Sequence, residues 1–122
     1  MPYIKSGDGR REALQNGEPA LNAGELNYQI FYYVKHYDWR KYRQIDYNFL
    51  ATITKFVSNF LGDKPNYQKY NDMTGVLIRC YKEIRRRLYI DVESEFIEIM
   101  ESYDDEIAEY EDTKIKENSD VE

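Results

Sequence analysis

Between Gly75 and the C-terminus the chain contains neither glycine nor proline, so no ordinary breaker interrupts a helical pattern there. Two apolar stripes run through this stretch. From Asn71 or Asp72 onward, Met73, Val76, Leu77, Cys80, Ile84 and Leu88 recur at helical spacing. Farther on, Phe96, Met100, Tyr103, Ile107 and Tyr110 keep a strict 4-3-4-3 rhythm, the seam of a helix that packs against a partner helix. The region from Asp72 to Tyr110 is either one helix of about 40 residues or two helices broken near Asp91 to Ser94. Unbroken, at 1.5 Å per residue it would span roughly 57 Å and its end would project, which implies a partner. Broken, the last helix folds back onto its own bundle. The seam therefore serves either oligomerisation or internal packing.

Upstream, Asn22-Ala-Gly-Glu25 has the form of a capping box, with an Asn side chain positioned to accept an amide and Glu25 to reach back. Leu26, Ile30, Tyr33, Val34 and Tyr37 then trace one helical face. Asp38 to Gln44 reads equally as loop or as helix continuation. A further helix is signalled by Leu50, Ile53, Val57, Phe60 and Leu61, with Asp46 as its cap and Gly62 as its stop. Residues 1–21, with Gly7, Gly9, Gly17 and Pro19, form an irregular arm with at most a turn of helix at Arg10 to Leu14. The expected fold is all-α: a three- or four-helix bundle over 1–112 with a long C-terminal helix, an irregular N-terminal arm and a solvated acidic tail over 113–122.

Charge is divided along this frame. Residues 1–90 hold 15 Lys or Arg against 9 Asp or Glu, a surplus of +6, whereas residues 91–122 hold 2 against 14, or -12. Such a step means two surfaces with different tasks, or a tail that neutralises its own body. One cysteine excludes a disulfide framework and points to a reducing compartment. No apolar run approaches the roughly 18 residues of a membrane span, and no secretory leader is read. A soluble, cytoplasmic protein is expected.

Several stretches together resemble a family of small uncharacterised proteins of bacteriophages, prophages and bacteria. They are the opening Met1-Pro-Tyr-Ile-Lys5, the helix start Gly24-Glu-Leu-Asn-Tyr28, the segment Tyr70-Asn-Asp-Met-Thr-Gly-Val-Leu77 with Arg86-Arg87 downstream, and the closing Tyr110-Glu-Asp-Thr-Lys-Ile-Lys-Glu-Asn118 with Asp120-Val121. In members of that family the second and third motifs lie closer together than here, where an insertion separates them, and Ile78 and Ser119 stand where a Glu and a Gly are usual. The resemblance implies phage origin, hence the host-cell cytoplasm, and an all-helical domain. It implies no catalytic residue.

Catalytic constellations are wanting. His36 is followed by Tyr37 and Asp38, but adjacent residues on a helix do not face one another. Cys80 falls on the apolar stripe, where a thiol behaves as a small hydrophobe. The acidic run Asp104, Asp105, Glu106, Glu109, Glu111 and Asp112 lacks the alternating ligand pattern of a calcium loop. Imitation of DNA by this run fits poorly with a basic body. No enzyme activity, metal or cofactor is expected, and duplex nucleic acid is not the expected partner.

The basic side carries more chemistry. Arg79, Lys82 and Arg86 share one face at i, i+3 and i+7, with Arg85 beside them and Tyr67, Tyr70, Tyr81 and Tyr89 on or next to the same helix. Arginine forks suit phosphate, and tyrosine rings suit stacking on a base. Tyr70, Arg79, Lys82, Arg85 and Arg86 are therefore the candidate ligand site for a nucleotide-type anion. The alternative is that this face pairs with the acidic segment within or between subunits. The expected function is non-enzymatic binding by a small phage-type homo-oligomer that sequesters a nucleotide or inhibits a host defence protein; alternatively, the acidic C-terminal helix docks on a protein partner.

Overall fold

The computed structural model describes residues 4, 5, 7, 9–37 and 47–119. Among them there are six helices and no strand, so the protein is all-α. The expected cap Asp46, the ambiguous segment Asp38 to Gln44, and the Met1 to Tyr3 and Asp120-Val121 parts of the motifs lie outside the described residues.

The first helix, α1 (Gly9–Gln15), is the predicted turn made slightly longer. Its arm is tied down: Leu14 and Ala20 are buried, and Gln29 Nε2 donates to the carbonyls of Leu14 and Glu18, each at 2.9 Å. Next, α2 (Ala23–His36) starts where the sequence predicts, with Asn22 Oδ1 accepting from Glu25 N at 2.9 Å. Glu25 does not close the capping box on Asn22. Its carboxylate accepts from Leu21 N at 2.9 Å and is held by Arg10 instead. An arginine fork matches a carboxylate better than one amide does.

The next helix, α3 (Tyr47–Leu61), buries Phe49, Ile53, Val57, Phe60 and Leu61 and ends at Gly62, whose φ of 74° is the left-handed stop that glycine adopts without strain. The long helix α4 (Tyr67–Leu88) begins earlier than its apolar stripe suggests, because Asn66 Oδ1 caps Lys69 N at 2.9 Å and so adds a turn. That turn brings Tyr70 into the core at 7 % exposure. Met73, Val76, Leu77, Cys80 and Ile84 are buried, and α4 packs against α2, α3 and α5.

After α4 the chain breaks without glycine or proline. Tyr89 takes a left-handed conformation, φ 58° and ψ 33°, its N–H bonding to the Arg85 carbonyl. Val92 is then buried, and α5 (Glu93–Glu101) folds back along α4 and α3. A second break follows at Ser102, whose hydroxyl donates to the Ile99 carbonyl at 2.6 Å, and α6 (Asp104–Asn118) begins. A single helix from Asp72 to Tyr110 is thus excluded. The 4-3-4-3 seam is taken up inside the chain: Phe96 is fully buried, Tyr103 is buried with its hydroxyl 2.6 Å from Ser58 Oγ, and Met100, Ile107 and Tyr110 pack against the core margin. Burying Phe96 contributes about 1.5–3 kcal/mol.

The expected tail from Thr113 is solvated, and through Asn118 it is helix. Thr113 Oγ1 donates to the Glu109 carbonyl and Asn118 Nδ2 to that of Lys114. No residue of α6 is buried. Its anchorage is Tyr70, which donates a 2.7 Å hydrogen bond to Glu106 and meets the Tyr110 ring edge-on at 5.3 Å. No described helix is long and apolar enough to cross a membrane.

Candidate ligand-binding groove

Helix α2 has two stripes. Leu26, Ile30 and Val34 face the core. Rotated from them, Gly24, Asn27, Tyr28, Phe31 and Lys35 recur at steps of three and four and line a groove of about 350 Å3 that α1 and α4 complete. Its aromatic wall is a ladder along one side of α2. The Tyr28 and Tyr32 rings stack with centroids 6.0 Å apart and planes at 26°, and Tyr32 meets His36 at 4.2 Å.

Cations reach the groove from three helices. Arg11 of α1 lies 5.4 Å from the Tyr28 centroid and is fixed by its Nε, which donates to the Ile4 carbonyl at 2.8 Å. Gln15 Nε2 donates to the Tyr28 hydroxyl at 2.8 Å and so sets that ring. From α4, the Arg87 guanidinium sits 4.6 Å from the Phe31 centroid, with Nη1 3.7 Å from Glu83 Oε1. Lys35 comes from α2 itself. Arg11, Lys35 and Arg87 against the single carboxylate Glu83 leave the lining positive. Arginine over a ring keeps its edge donors available in plane, so these side chains can hold an anion while the rings hold a flat group.

One lining residue has an unmet need. Asn27 is 4 % exposed, and its Oδ1 has no hydrogen-bond partner. A buried acceptor left unpaired costs about 1–3 kcal/mol. Gln29 Oε1 is also unpaired, but both uses of its Nε2 are structural and it does not line the groove.

Comparison with family models, with curated proteins and with solved structures finds no match to this chain.

The residues singled out from sequence fall elsewhere. Arg79, Lys82, Arg85 and Arg86 are all exposed on α4, and none of the four is in an ion pair among the described residues. Within one chain they form a solvated basic stripe and make no ion pair with the described acidic residues from Asp91 onward. Tyr70 is not with them: its hydroxyl is used by Glu106, and burial and that bond push it up to about 12. Tyr67 and Tyr89 point to solvent, while Tyr81 packs edge-on against Phe96.

Arg87 was the informative arginine. It is turned about 100° from Arg86, which brings its guanidinium over the Phe31 ring of α2 while the side chain stays 44 % exposed. Asn27, Tyr28, Phe31, Tyr32 and Lys35 also escape sequence reading, although the signal exists as a second helical period beside the core stripe of α2. The Gly24 to Tyr28 and Arg86-Arg87 stretches, far apart in the chain, each supply residues to this groove.

Among the described lining residues there is no serine, threonine or cysteine. Cys80 is fully buried away from it, and burial pushes its thiol up, with a smaller contribution from Glu83. Among the described residues no group of three His, Cys, Asp or Glu could hold a metal ion. The arrangement suits binding.

Proposed function

We propose that this chain is a non-enzymatic binding protein that captures a nucleotide-type anion in the groove between α1, α2 and α4. The observation that carries this reading is the ring ladder Tyr28-Tyr32-His36 beside Arg11, Lys35 and Arg87 in a 350 Å3 recess, a volume in the range of small-ligand sites. The exposed Arg79, Lys82, Arg85 and Arg86 would raise the local concentration of an anion without touching it. In the phage setting that the resemblance implies, such capture withdraws a nucleotide signal from a host defence protein.

Native mass spectrometry and calorimetric titration with AMP, GMP, CMP and UMP test the proposal. Binding of at least one nucleotide, weakened tenfold or more in Arg87→Ala with the helical circular dichroism unchanged, is the expected result. Absence of binding across the four overturns it.

A second reading, docking on a basic protein partner, is favoured by α6, which buries no residue, exposes Ile115 and presents six carboxylates between Asp104 and Asp112. Loss of a partner's binding on charge reversal of Glu109 and Asp112 would support it over the first.

A further inference from the structure

Resting on the nucleotide reading, the unpaired Asn27 oxygen narrows the ligand further. A phosphate offers only acceptors at neutral pH and cannot satisfy Oδ1, so the group that reaches Asn27 must bring a donor. Position along α2 indicates which part of a nucleotide that is. Asn27 adjoins Tyr28, the ring against which a base would stack, whereas Phe31, one turn on, has Arg87 over it. Lys35 is eight residues beyond Asn27, a rise of about 12 Å, and Arg87 sits between them. Base at the Asn27 end and phosphate toward Arg87 and Lys35 is the orientation that gives every part of the ligand its complement.

We infer that Asn27 reads the edge of the base and that the preferred ligand carries an exocyclic amino group, of the adenine type. The amide of asparagine matches adenine in both senses, its oxygen accepting from the amino group and its nitrogen donating to the adjacent ring nitrogen. In the free protein the Asn27 oxygen is tucked from solvent, and a quarter turn about its terminal torsion, which is broad and low in barrier, presents oxygen and nitrogen side by side to the groove, whereas a half turn would bury the nitrogen in the oxygen's place. A site whose buried polar group needs a ligand N–H discriminates strongly against the analogue lacking it, because the group is then left unpaired.

The test uses the unmodified protein and two ligands: AMP, and purine riboside 5′-monophosphate, which differs only in lacking the amino group. Tenfold or greater preference for AMP, abolished in Asn27→Ala so that both ligands bind alike, is expected. Equal affinity of the unmodified protein for the two, or preference for UMP over AMP, overturns the inference while leaving nucleotide capture standing. Binding of neither AMP, its analogue, GMP, CMP nor UMP overturns both. The ligand pair alone decides, so failure of Asn27→Ala to fold leaves the inference falsifiable.

Discussion

Arg10 grips both carboxylate oxygens of Glu25, Nε to Oε2 at 2.9 Å and Nη2 to Oε1 at 2.8 Å, and the same Nη2 donates to the Pro19 carbonyl at 2.7 Å. One side chain thereby joins α1, the connecting loop and the start of α2. The bond to Arg10 holds the Glu25 carboxyl below the ordinary value of 4.5. A depressed carboxyl contributes stability that is present above its unfolded value and is lost as pH falls through its folded value. Urea unfolding followed from pH 6 to pH 2 should show that loss below about pH 4.5. Arg10→Ala should cost about 1–2 kcal/mol at neutral pH, discounted for partial exposure, and flatten the acid limb.

Tyr70 and Glu106 form the one side-chain hydrogen bond between α4 and α6 among the described residues. The Tyr70 phenol, pushed up to about 12 by burial and then by Glu106, contributes stability that is complete below the ordinary value near 10 and is lost as pH rises through about 12. Ultraviolet titration should find the Tyr70 phenol ionising about two pH units above the exposed tyrosines, with Tyr103, which burial also pushes up, ionising later than they do. Tyr70→Phe should leave global stability within about 1.5 kcal/mol and speed amide exchange in α6 roughly tenfold, since only the packing of Ile107 and Tyr110 then secures that helix.

Cys80 should resist iodoacetamide in the native protein and react fully in denaturant, because the thiolate that alkylation needs is suppressed by burial. Cys80→Ser should destabilise by about 1–3 kcal/mol, as a hydroxyl replaces a thiol among apolar neighbours. Rapid native labelling would show that α4 opens from the core.

The two arginine sets are separable. Replacing Arg79, Lys82 and Arg86 together by Ala should slow nucleotide association, most visibly at low salt, while dissociation stays within about twofold. Arg87→Ala should speed dissociation about tenfold or more. Stopped-flow kinetics distinguishes them, and the reverse pattern would return the site to the exposed face of α4.

Helix existence was legible in residues such as Leu26, Ile30 and Val34 or Met73, Leu77 and Ile84, because a face that must leave water repeats with the helical period. The turn after α4 was legible only as one of two alternatives, since Tyr89 adopts a conformation that glycine ordinarily signals. The groove was hidden for another reason. Phe31 and Arg87 are far apart in sequence, and only the packing of α2 on α4 brings a cation over that ring. Arg79, Arg85 and Arg86 stand out by number, whereas Arg87, also exposed, differs from Arg86 by a single step around the helix.

A left-handed tyrosine costs about 1–2 kcal/mol relative to the right-handed form, and Tyr89 stands 91 % exposed, so its own side chain does not offset that cost. The offset lies downstream. The turn that begins at Tyr89 returns Val92, Phe96 and Ile99 to the core that α4 has just left, and all three are buried. Strain on the surface is thus balanced by apolar side chains several residues away, and Tyr89→Gly, which removes the strain and leaves those contacts in place, should raise stability in urea by up to about 1 kcal/mol.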